Sequence, residues 1–140
     1  MIKFEINPDL TQINWQHVSN LFQLVNWGTR PPKDSESSFR QSSFVSIVRS
    51  ENDIIGFGRT VDDGKYYALI VDVVIHPKFQ GQGIGTKIVA ELKDQLKGYE
   101  FVTLTAAPGK DGFYEKTGWK KQKSSFIWPK DEKQAEEHCE

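Results

Sequence analysis

The sequence predicts an α/β fold in which a mixed, mostly antiparallel sheet is flanked by helices within a single domain. Three observations carry that prediction. Strand-like runs at residues 43–49, 54–61 and 66–75 are separated only by Asn52-Asp53 and Asp62-Asp63-Gly64. Turn residues of this kind between β-branched and aromatic runs read as antiparallel hairpins. The third run passes into a helical pattern and then into another strand-like run at 101–105, an order that implies a right-handed crossover and locally parallel pairing. Composition agrees, since 140 residues with 37% hydrophobic and 26% charged side chains suit one ordinary globular domain.

Residues 2–6 alternate apolar and polar, the period of a half-buried strand, and Asn7-Pro8-Asp9 stops them. Trp15, Val18, Leu21, Phe22 and Val25 recur at helical spacing, so a first helix ends before Asn26-Trp27-Gly28. Arg30-Pro31-Pro32 is a stiff extended loop, and residues 34–40 form a short second helix. The run YYALIVDVVI at 66–75 is almost continuously apolar and is expected to be a central strand covered on both faces, with Asp72 its one charge. Ile84, Ile88, Val89, Leu92 and Leu96 form one stripe of a third helix, which Lys97-Gly98 closes. After the strand at 101–105, residues 111–116 read as a short helix closed by Gly118. Residues 119–121 and 125–128 read as a closing hairpin or a pair of short strands. From 130 to 140 nearly every residue is charged or polar, a frayed tail or loose helix. The expected organisation is therefore one domain over 1–128 and a charged tail over 129–140.

A net charge of −1 offers no basic surface to draw nucleic acid or an anionic membrane. No stretch approaches the roughly 18 apolar residues of a membrane helix, and the N-terminus has no signal-peptide pattern. The single cysteine, Cys139, excludes a disulfide framework and fits a reducing, cytoplasmic setting. His138 beside it makes a poor metal pair, because adjacent ligands on a loose tail do not build a tetrahedral site. No metal is expected.

The chemistry concentrates in Gln80-Gly81-Gln82-Gly83-Ile84-Gly85, three glycines in five residues at the mouth of the third helix. A Walker A loop needs G-x-x-x-x-G-K-[ST], which neither the spacing nor the order of Thr86 and Lys87 meets. A dinucleotide fingerprint needs G-x-G-x-x-G directly after a strand, with an acid ending the second strand. Here the spacing is G-x-G-x-G, residues 76–80 intervene, and Glu100 precedes the next strand.

The pattern Q/R-x-x-G-x-G/A is met, preceded by V-V-I-H-P and followed by an amphipathic helix. With Phe113-Tyr114-Glu115-Lys116-Thr117-Gly118-Trp119 as a second signature, F-Y-x-x-x-G-F with tryptophan last, the chain resembles the GNAT superfamily of N-acetyltransferases. The resemblance spans about residues 2–128 and looks most like small members related to the plastid-type serotonin (arylalkylamine) enzymes. It implies acetyl-CoA as co-substrate and direct attack by a primary amine of a small molecule. The backbone of Gly81, Gln82, Gly83, Ile84, Gly85 and Thr86, with Gln80, would receive the pyrophosphate at a helix N-terminus. The pantetheine arm would lie along Val73, Val74 and Ile75 like an added strand. A backbone N–H near Val74 would face the thioester oxygen.

The resemblance places Tyr114 as the acid that protonates the departing thiolate. Asp72, a lone carboxylate in an apolar strand, is the candidate base or ammonium partner, against a structural role as a buried acid. His76, followed by Pro77, is expected to cap the turn. Trp27, Arg30, Tyr66 and Tyr67 are the candidate acceptor wall, offering aromatic and cation-π surface. Many members carry an asparagine or serine where Pro108, Gly109 and Lys110 stand, which leaves that side-chain contact to coenzyme A open, with Lys110 in reach of a phosphate. Rival readings are a protein or peptide N-acetyltransferase and a non-catalytic acyl-CoA sensor. Closing strands in the family often pair between subunits, so the resemblance is compatible with a homodimer, one of several assemblies the sequence leaves open.

Overall fold

The computed structural model describes residues 1–140, which fall into two compact units, Met1–Leu104 and Thr105–Glu140. In the first unit five strands form one sheet in sequence order: β1 (Ile2–Ile6), β2 (Val45–Ser50), β3 (Asp53–Asp62), β4 (Tyr67–Ile75) and β5 (Phe101–Leu104). Pairing is antiparallel from β1 to β4 and parallel between β4 and β5, as the crossover through helix α3 (Ile84–Gln95) requires.

One face of the sheet is covered by α1 (Trp15–Leu24) and α2 (Pro32–Arg40). Val18, Leu21 and Phe22 of α1 and Phe39 of α2 pack with Val45, Ile47, Phe57 and Val74 of the strands. Asn14 caps α1 by accepting from the His17 amide. Helix α2 starts two residues before the expected 34, because Pro32 is pre-set for a first helical turn that needs no N–H. The other face takes α3, whose Ile88 and Leu92 lie over Gly58. A Cβ at Gly58 would stand 2.8 Å from Ile88 Cγ2 and 3.2 Å from Leu92 Cδ1, so glycine there sets how closely helix and strand approach.

Two expectations are corrected here. The strand at the centre of the sheet is β3, and β4, second from the edge, leaves Tyr67 62% and Leu69 40% exposed. Its apolar run is covered on both faces only further along. The second correction concerns residues 119–121 and 125–128, which form no strand. Their composition suits one, but a strand exists only where a neighbouring edge takes its N–H and C=O groups, and a lone hairpin is marginal in water. The second unit contains α4 (Asp111–Lys116), closed by Gly118 at φ 98°, and α5 (Glu132–His138), capped by Asp131. The loose-helix alternative for the tail is the one adopted.

A β-bulge in β4 prepares the site. Phe57 pairs with Val74 but Arg59 pairs with Val71, so Gly58 opposes two residues, Asp72 and Val73. Asp72 takes φ 54°, the left-handed region that aspartate enters more readily than most residues. Ala68, Ile70 and Val74 are all buried and would share a face on an unbroken strand, yet only Val74 joins the α1–α2 core. The extra residue therefore turns the strand over between Ile70 and Val74.

Candidate active site

The loop after β4 is built by its own backbone and short side chains. The His76 ring accepts from the Lys78 amide through Nδ1 at 3.0 Å and opens a 3-10 turn over Pro77–Phe79. Gln80 Nε2 donates to the Ile75 carbonyl at 3.0 Å, folding the loop back onto the strand end. Gly81 and Gly83 follow at φ 79° and 82°. The turn needs left-handed residues here, and the space where each Cβ would sit is open to 4 Å. Gly83 is the N-cap of α3 and no side chain caps the helix. The first intrahelical bond runs from the Lys87 amide to the Gly83 carbonyl, so Ile84, Gly85 and Thr86 present amides with no acceptor in the helix. The positive end of the macrodipole thus faces open space, a site suited to phosphate.

The adjoining strand supplies an edge. Strand β4 pairs with β5 only from Tyr67 to Ile70, while Val71 to Ile75 have β3 on one side and no strand on the other. Val73, Val74 and Ile75 lie in that stretch, directly before the glycine loop.

Asp72 stands at the bulge on the α1–α2 side. Its Oδ2 accepts from Arg30 Nη1 at 3.0 Å and Arg59 Nε at 2.8 Å, and its Oδ1 accepts from Arg30 Nη2 at 3.2 Å. Arg59 Nη1 also donates to the Ser38 carbonyl and Ser42 Oγ, tying the cluster to α2 and the turn after it. Arg30 lies over the Phe22 ring at 3.9 Å, with Trp27 6.2 Å from the same ring. Three charge-assisted bonds thus hold the Asp72 carboxylate and fill about three of its roughly four acceptor sites. Through these bonds Asp72 joins the loop before α2 to the bulge of β4. Arg59 was missed from sequence because an arginine in a strand gives no sign of its partner.

The proposed acceptor wall divides. Trp27 and Arg30 share the Phe22 ring, but Tyr66 and Tyr67 stand at the opposite end of β4, where Tyr67 meets Phe101 at 6.1 Å. Five residues of strand, about 17 Å, separate Tyr67 from Asp72. In the second unit Tyr114 lies on α4 with its ring edge-on to Phe113 at 4.9 Å. Burial raises its phenol above the ordinary value of 10.0, which keeps it protonated.

Against known families, residues 28–128 match the acetyltransferase (GNAT) domain. The chain belongs to the GNAT acetyltransferase family. Among curated relatives of this GNAT enzyme, the uncharacterized N-acetyltransferase ycf52 of Porphyra purpurea is 35% identical over 84% of this chain and 74% of its own length. Serotonin N-acetyltransferase 2, chloroplastic, of Oryza sativa is 27% identical over 83% of this chain and 61% of its own. A probable acetyltransferase of Staphylococcus aureus superposes at TM-score 0.79 with 21% identity, covering 94% of this chain and all of that one, a likeness of fold. Members of the family use acetyl-CoA in general, and no helix of this chain is long and apolar enough to cross a membrane.

Proposed function

We propose that this GNAT enzyme transfers the acetyl group of acetyl-CoA directly to the primary amine of a small molecule. The observation that carries the reading is the uncapped N-terminus of α3 behind Gly81 and Gly83, continuous with the unpaired edge of β4. These residues fit coenzyme A: open amides for a pyrophosphate, and a strand edge of suitable length for an extended arm. When bound, acetyl-CoA supplies the activated carbonyl. The chain's part is to hold it, with the Val73–Ile75 backbone offering main-chain bonds and an N–H near Val74 stabilising charge on the carbonyl oxygen. Tyr114 is the proposed acid for the leaving thiolate, on the strength of its place in F-Y-x-x-x-G-W and its burial. With Asp72 engaged, the amine is expected to lose its proton to water, not to a side chain. Arg30 and Trp27 contribute the acceptor wall. The catalytic domain is read as residues 1–128, in a reducing compartment that leaves Cys139 free.

A small acceptor is favoured over a peptide because the loop before α2 is pinned to β4 through Arg30 and Asp72 beside that edge. The test compares acetyl-CoA with S-acetylpantetheine, which lacks the pyrophosphate. Loss of several charge-assisted bonds at the helix terminus should raise KM at least about a hundredfold. Equal KM values would remove the glycine loop from cofactor binding.

A further inference from the structure

Two guanidinium groups meet one carboxylate in the first unit, and the imbalance is informative. Asp72 is 9% exposed at its side chain, Arg59 14% and Arg30 34%. No other carboxylate pairs with either arginine, so the trio carries one positive charge in excess. Arginine stays protonated at any physiological pH. Anchoring the loop to β4 needs only one arginine. The second leaves an uncompensated charge where Asp72 and Arg59 are largely buried and Arg30 is about a third exposed, and an anionic group would complete it.

The donors that remain have an address. Arg30 spends Nη1 and Nη2 on Asp72 and its flat face on Phe22, so its orientation is fixed while its outer edge reaches solvent. Arg59 is held by Asp72, Ser38 and Ser42. Asp72 is the residue before Val73, where the unpaired edge of β4 continues. An acceptor brought to that edge therefore meets a pre-organised cationic group on its way. An ammonium is repelled there, whereas a carboxylate on the same molecule is drawn in and satisfied.

We propose that the acceptor amine carries a carboxylate, as an amino acid does, and that Arg30 binds it while Arg59 and Asp72 hold Arg30 in place. The inference rests on the small-amine reading above and narrows it, setting this chain apart from an acetyltransferase for arylalkylamines that lack such a group.

Matched acceptors that differ only by the carboxylate provide the test: L-phenylalanine against phenethylamine and L-tryptophan against tryptamine, with acetyl-CoA saturating. Wild type should favour the acid-bearing member by about tenfold or more in kcat/KM, the scale of one charge-assisted contact. Arg30→Gln should bring the pair to parity through KM, and Arg30→Lys should restore part of the preference. Phenylacetate, titrated into the wild type by calorimetry, gives a readout that needs neither turnover nor a folded variant, and it should bind while 2-phenylethanol does not. Equal or reversed preference within the pairs overturns the carboxylate inference and leaves the small-amine reading standing. No turnover of any amine with phenylacetate still bound overturns the small-amine reading and supports the anion site. Failure of both turnover and phenylacetate binding overturns both.

Discussion

Asp72 is held in a backbone conformation that costs an L-residue about 1–2 kcal/mol, and three guanidinium bonds offset that cost. Its isolation in an apolar run was visible in the sequence, and two chemistries were compatible with it. Its partners, Arg30 and Arg59, lie 42 and 13 residues away along the chain. Tyr114 is the opposite case, a residue whose proposed role comes from its motif and whose phenol is kept protonated by burial. Tyr114→Phe should retain acetyl-CoA binding while lowering kcat at least about tenfold, the lower range for a positioned acid. The sign of its pH dependence follows from burial. A raised phenol pKa keeps the donor protonated up to and beyond its ordinary 10.0, so wild-type kcat should not fall between about pH 8 and 10 on its account. A decline centred below 10 in a kcat–pH profile would assign the proton to another group.

Elements were legible where periodicity was strong. The stripe Ile84, Ile88, Val89 and Leu92 marks α3 and is buried as its spacing requires. The bulge in β4 left no such mark, because an inserted residue changes pairing without changing composition. Gly58 was likewise silent, though its missing Cβ is what lets α3 lie close to β3. Ile88 is fully buried and branched at Cβ, so it cannot retreat from an added methyl. Gly58→Ala should therefore cost about 1–3 kcal/mol, read as a lowered midpoint in urea with unchanged slope. An unaltered midpoint would mean that helix and strand separate freely. Residues 119–128 make the converse point, since β-prone residues alone did not produce strands there.

At the scale of the whole chain, the charged C-terminal segment is separable by its own interactions. Helix α5 has no buried residue, and its caps are satisfied locally by Asp131 and Gln134. A chain ending at residue 128 should acetylate acceptors within about twofold of the full chain and melt within about 2 °C of it, as expected for removing an exposed terminus. A larger loss by activity assay or calorimetry would extend the catalytic domain past Trp128. By itself the sequence determined the order of elements up to residue 116, the parallel crossover and the glycine loop, because each follows from local periodicity, turn chemistry or a contiguous motif. Only the tertiary structure decided that Asp72 joins the loop before α2 to β4, that Tyr66 and Tyr67 lie away from Arg30, and that one guanidinium charge is left over. Those outcomes depend on a one-residue bulge and on partners far apart in sequence, and neither is written in any local stretch of residues.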